Sequence, residues 1–238
     1  MARQLILLCV LLALSGPLRA QEVPVEVPLR PPPPAAGARL YQPIPRLLPC
    51  PGCDCRGEGC FHTNCGCGGR VDDEAASEMV RYIDHILYQA YGEKLELKRP
   101  VRARAITPFE LSARGGGEIY GLYDDDVLYV SNALSRSDAF GVLAHEYGHA
   151  WQYQHNPDPD RMSGLFSEGF AEWVAYQVLT RVGDFHLASL IRRNGDPEYG
   201  DGFRWFLKLE KEHGVDALLD VAVKWVDTEG HPSVAPPD

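Results

Sequence analysis

Two histidines four positions apart, His145 and His149, enclose a glutamate in the run His145-Glu146-Tyr147-Gly148-His149. On an α-helix, residues i and i+4 project from one face a turn apart, so both imidazoles can approach a single zinc ion. The intervening Glu146 can hold a water at that ion and take its proton, which is the chemistry of metal-assisted hydrolysis. Such a pair needs a third ligand, and two residues compete for the place. His155 would lie about 15 Å along a straight helix from His145 and face another way, so it cannot share the ion. Glu168, after eighteen intervening residues, is the better candidate. A carboxylate in the first turn of a second, antiparallel helix completes a site of two histidines and one glutamate with a fourth position open. Glu172, one turn later, is the alternative ligand, although its position better suits a group that orients a histidine from behind.

The elements that must hold these residues can be read from their boundaries. The first of the two helices is expected from Ser137 to His155, capped by Ser135 or Ser137 and stopped by Asn156-Pro157-Asp158-Pro159. The second is expected from Glu168 to Val182, with Ser167 as its cap, Gly183 at its end, and Phe170, Trp173, Val174 and Val178 on its packing side. Upstream, Asp72 to Tyr91 has apolar residues at helical spacing, Met79, Val80, Ile83, Ile86 and Leu87 among them. Val101 to Ala105 alternates like a strand. Glu118 to Tyr123 and Val127 to Ser131 read as a hairpin whose Asp124-Asp125-Asp126 connection is a turn in preference to a calcium site. The hairpin can offer an edge strand to an extended peptide. Trp205, Phe206 and Leu209 are assigned to the core. Helices and a small sheet, not strictly alternating, make an α+β domain.

The 238 residues are 45% apolar and 24% charged, which excludes collagenous and wholly disordered chains and allows one domain of average size with appendages. Net charge is −10, and residues 1–20 hold Arg3 and Arg19 but no acid, so the chain without them is two charges more negative. No basic stripe is visible, which argues against nucleic acid and anionic membrane surfaces as partners. Arg3, the apolar run Leu5 to Leu14 and the ending Leu18-Arg19-Ala20 read as a signal peptide over residues 1–20, too short for a comfortable membrane span. The expectation is an exported protein, periplasmic or extracellular, without stable membrane insertion after cleavage.

Residues 21–49, with Pro31 to Pro34, read as a proline-rich linker. Residues 50–69 hold Cys50, Cys53, Cys55, Cys60, Cys65 and Cys67 beside His62. In an oxidising compartment that pattern suggests three disulfides, while its paired spacings also suit a zinc-binding knuckle. Residues 70–238 form the expected catalytic domain.

His145-Glu146-Tyr147-Gly148-His149 with Glu168-Gly169-Phe170-Ala171 resembles the gluzincin metallopeptidases, such as aminopeptidase N. A longer likeness takes in Tyr120-Gly121-Leu122, Leu143-Ala144, His149-Ala150-Trp151 and Tyr199-Gly200-Asp201-Gly202-Phe203-Arg204, and is similar to the catalytic region of the plant LIM-domain peptidases that regulate organ size. The resemblance implies a zincin-like fold, with the HExxH helix packed on a second glutamate-bearing helix. It also implies His145, His149 and Glu168 as zinc ligands, Glu146 as general base and a peptide or protein substrate. Residues 50–69 are too short for a complete LIM module, and an exported chain does not meet ubiquitin as the plant proteins do. Gly115-Gly116-Gly117-Glu118 is only a distant echo of the aminopeptidase motif that grips a free amine.

The implied hydrolysis needs a donor for the developing oxyanion. Tyr199 is the candidate through its place in the resemblance, with His186 and His213 behind it; the other reading of Tyr199 is packing or capping of the next helix. An exported binding module that uses the same fold as an inactive scaffold remains the alternative function, and the intact Glu146 argues against it.

Overall fold

The computed structural model describes residues 71–224. The expected signal peptide, linker and cysteine-rich segment lie outside the described residues. Among the described residues, six helical segments, the last broken by non-helical backbone at Gly214 (φ 81°), and a three-stranded sheet pack around one apolar core that runs from Val71 to Ala222. Among the described residues no helix is long and apolar enough to cross a membrane.

α1 (Asp73–Tyr91) begins where the Asp72 carboxylate accepts the Ala75 N–H at 2.8 Å, and ends at Gly92, whose φ of 65° a side chain would oppose. Its apolar stripe is buried. β1 (Arg102–Ile106), β2 (Gly121–Asp124) and β3 (Val127–Ser131) form a sheet in the order β1-β3-β2, with β1 parallel and β2 antiparallel to β3. Asp125 and Asp126 join β2 to β3 with φ of 48° and 58°, the two positive values that a turn matching strand twist requires. Asp126 has a second task. Its carboxylate accepts hydrogen bonds from Arg99, Tyr123 and Gln154, which lash the hairpin to the end of α3 (Arg136–His155).

Two helices lie outside the sequence expectations. α2 (Pro108–Gly115) opens on a capping box in which the Thr107 hydroxyl accepts the Glu110 N–H while Glu110 accepts the Thr107 N–H. Its signal, Thr107-Pro108-Phe109-Glu110, is local and was there to be read. α5 (Phe185–Arg193) is short and half exposed.

α4 (Gly164–Val182) starts four residues before the expected Glu168. Ser163 is the residue at its cap, and Ser167 lies inside the helix. The cause is tertiary: Phe166 is buried against Trp205 and Phe206, which draws the segment before Glu168 into the helix. Glu168 therefore sits in the second turn. α3 and α4 run antiparallel, since Ser137 near the start of one bonds Asp184 after the end of the other, and Gln152 near the end bonds Phe166 near the start.

Glycines set how closely these helices approach. A Cβ on Gly148 would lie 2.7 Å from the Ala171 Cα, and one on Gly169 would lie 2.4 Å from the Gly202 backbone at the start of α6 (Gly202–Lys224). Gly169→Ala must therefore separate α4 from α6. Its expected destabilisation is about 1–3 kcal/mol, read as a fall of several degrees in thermal midpoint. Gly141→Ala is the control, because its added carbon meets its nearest neighbour at an ordinary 3.6 Å and should leave the midpoint unchanged or higher.

Candidate metal centre

α3 places His145, Glu146 and His149 on its buried length, and α4 brings Glu168 across from the facing helix. The ligand atoms converge. His145 Nε2 is 3.0 Å from His149 Nε2 and 3.2 Å from Glu168 Oε2, and His149 Nε2 is 3.4 Å from the same oxygen. Among the described residues these three form the one group of histidine, cysteine and carboxylate side chains arranged to hold a metal ion. None of the three is more than 5% exposed, so the cluster belongs to the interior and not to a solvated face.

Their surroundings favour a cation. Three carboxyl groups, Glu146, Glu168 and Glu172, share this buried space with two imidazoles, and no lysine or arginine contributes to the charges acting on them. Burial, with the nearby Glu168 charge, pushes Glu146 up to about 7 against the opposing pull of His149 and of the Tyr123 backbone. Burial, with the nearby Glu168 charge, pushes Glu172 up to about 8. Burial also works against the charge of Glu168, yet His149 and His145 hold its carboxyl below the usual range. Buried carboxyls in excess of their partners are stabilised by a metal ion.

The two imidazoles differ. Burial lowers the pKa of His145, which keeps that ring neutral and ready to ligate. Burial pulls His149 the same way, but the charge and hydrogen bond of Glu168 outweigh it and leave its pKa raised. A metal ion must displace the proton from His149 before binding. Metal retention is therefore expected to fall as pH is lowered, by up to about tenfold per pH unit once His149 protonates. Equilibrium dialysis against a chelator between pH 5 and 8 measures this; flat retention across the range would contradict it.

Glu172 stands behind His145, 3.9 Å from its Nδ1. It therefore lies on the side of the ring opposite the nitrogen in the cluster, at a distance too long for a hydrogen bond, and among the described residues His145 Nδ1 has no hydrogen-bond partner. Ser167, expected as a cap, instead approaches His149, with Oγ 3.4 Å from Nδ1. His155 is occupied elsewhere, with Nδ1 2.8 Å from the Trp151 carbonyl and its ring stacked on Trp151.

Tyr199 belongs to the site. It lies in a π-helical turn over Pro197–Asp201, which is fixed by the Asp196 carboxylate accepting the N–H groups of Glu198 and Tyr199. Its ring stacks on His145 at 6.0 Å and its hydroxyl hydrogen-bonds Glu168; burial and the nearby carboxylates keep that hydroxyl protonated. His186 and His213 are exposed on α5 and α6, apart from the buried cluster.

One contact had no signal in the sequence. Gly121 opens β2 directly against Glu146: a Cβ there would lie 2.5 Å from the glutamate Oε1 and 2.4 Å from Val142. Tyr120-Gly121-Leu122 entered the resemblance, but only the tertiary approach of β2 to α3 shows why the position is bare. The chain matches no family model, no curated protein and no solved structure.

Proposed function

We propose that the chain is an exported, zinc-dependent peptidase of the gluzincin type, with a zincin-like fold, that hydrolyses bonds in a peptide or protein substrate. The observation that carries this reading is the spacing of the three ligand atoms, 3.0, 3.2 and 3.4 Å. Ligands about 2.0–2.1 Å from a tetrahedral zinc stand about 3.3 Å from one another. Two imidazoles and one carboxylate also suit zinc better than the oxygen-seeking magnesium or calcium. His145, His149 and Glu168 would hold the zinc, which would supply a Lewis acid to polarise the scissile carbonyl and ease deprotonation of a water.

The other steps belong to the chain. Glu146, buried between the two histidines of the cluster, is the base we assign: it takes the proton from water and passes it to the leaving amine. Glu172, 3.9 Å from His145 Nδ1, is placed to orient that ring if the gap closes when metal binds. Tyr199 is the donor we assign to the developing oxyanion, because its hydroxyl already reaches Glu168. Tyr199→Phe keeps the ring on His145 and removes only the hydroxyl. The expected result is a fall in kcat of about 10²-fold with metal content unchanged. Loss of metal instead would make Tyr199 a support for Glu168.

Export rests on the signal peptide read over residues 1–20. The acidic net charge supports a peptide partner over nucleic acid. Zinc per chain, measured on the exported protein after exhaustive dialysis, tests the metal assignment. One zinc that Glu168→Ala removes is expected, or two of which it removes one if residues 50–69 also bind zinc. No zinc in the folded parent would overturn the assignment.

A further inference from the structure

The face of the sheet turned away from the metal cluster carries a different chemistry. In the parallel register of β1 on β3, Arg104 stands opposite Tyr129 and Arg102 opposite Val127, so both arginines project from the same face. Residues two apart on a strand are about 6.6 Å apart along it. α1 adds Arg81 beside one end of this pair and α2 adds Arg114 beside the other.

Two clefts meet there, of about 340 and 440 Å³, and they share Arg104 and Tyr129. All four guanidinium side chains are exposed. Arg104 is paired with Asp73, and the Arg114 guanidinium lies 4.6 Å above the Tyr129 ring. Among the described residues Arg81, Arg102 and Arg114 form no ion pair. Phe109, 82% exposed at the rim, adds an unpartnered aromatic surface to this cleft.

We propose that this arginine-lined face binds an extended acidic peptide segment whose carboxylates fall at alternate positions. Alternate side chains of an extended peptide share one face and repeat at the spacing of Arg102 and Arg104. Guanidinium groups donate paired N–H bonds to carboxylates, and Phe109 with Ile106 offers contact to an apolar residue beyond them. The recognition is by side chains, because part of the outer edge of β1 is already occupied: Asp73 accepts the Ala105 N–H at 2.8 Å while it pairs with Arg104. In a chain of net charge −10, four arginines around one tyrosine form a local exception, and an acidic peptide complements it. Asp73 and Glu110 at its border disfavour the continuous phosphate track of a nucleic acid.

The experiment is fluorescence anisotropy with the full exported chain carrying Glu146→Gln, so that binding is read without hydrolysis and whether or not the peptidase reading holds. The probe is a labelled peptide with glutamates at alternate positions followed by phenylalanine, compared with a permuted peptide of equal composition whose glutamates are consecutive. The alternating peptide is expected to bind at least fivefold more tightly. Arg102→Ala with Arg114→Ala, both at exposed positions, is expected to weaken it about tenfold and to reduce its salt dependence, with the thermal midpoint unchanged. Equal binding of both peptides, or unchanged binding by the double variant, would overturn the proposal. Tighter binding of a DNA duplex of matched charge through the same arginines would also overturn it and make the face a polyanion surface.

Discussion

Glu146→Gln is expected to leave the metal bound and to lower kcat/KM for peptide hydrolysis by about 10²–10⁴-fold. Glutamine has nearly the same shape, but its amide cannot accept a proton from water. The substitution also isolates chemistry from folding. Glu146 is completely buried and burial pushes its carboxyl up to about 7, so its charge opposes the fold. A neutral amide in the same space should leave the thermal midpoint equal or higher. The candidate ligands His145 and His149 keep their places on α3, and metal content should not change. A purified variant that kept its hydrolysis would show that the activity came from another protein.

The second large effect is on the metal. Glu168→Ala removes one of three converging ligand atoms, and retention against a chelator is expected to fall by at least 10²-fold, since even partners behind a ligand contribute 10–100-fold. Glu172 cannot substitute, because it addresses Nδ1 of His145 while the cluster forms around Nε2. Glu172→Gln is accordingly expected to weaken retention by less than Glu168→Ala does. The order of the two variants, read by competition with a chromophoric chelator, distinguishes the ligand from the group behind it. Reversal of that order would assign Glu172 as the ligand.

The parts of this site that depend on local periodicity were legible in the sequence. Two histidines at i and i+4 share a helix face whatever surrounds them, and Ser135 caps α3 as its type and position suggest. The cap of α1 at Asp72 and the turn at Asp125 and Asp126 follow from the same local chemistry. The parts that depend on packing were not. The start of α4 was misplaced by four residues because burial of Phe166, and not a cap, decides it. Glu168 still reaches the cluster, since its distance along α4 from the crossing at Ala171 is unaffected by where the helix begins. The bare position of Gly121 and the pairing of Gly169 with Gly202 depend on backbones brought together from distant parts of the chain. Tyr199 was legible only through the family resemblance; its π-helical turn has no periodicity to announce it.

The fold and the chemistry are linked through those contacts. Gly148 lets α4 approach α3 closely enough for Glu168 to meet both histidines, and Gly169 lets α6 begin close enough for the Pro197–Asp201 turn to seat Tyr199 on His145. In Glu168-Gly169-Phe170-Ala171, one residue offers a ligand atom and its three neighbours set the distance at which it does so.

The most direct test of the account is hydrolysis of a quenched-fluorescent peptide library by the exported protein, stripped of metal by a chelator and then given one equivalent of zinc. Activity that disappears on stripping, returns with zinc, and is absent in Glu146→Gln under the same conditions is the predicted result. Hydrolysis that survives metal removal, or a zinc-loaded and folded protein that cleaves nothing in the library, would contradict it.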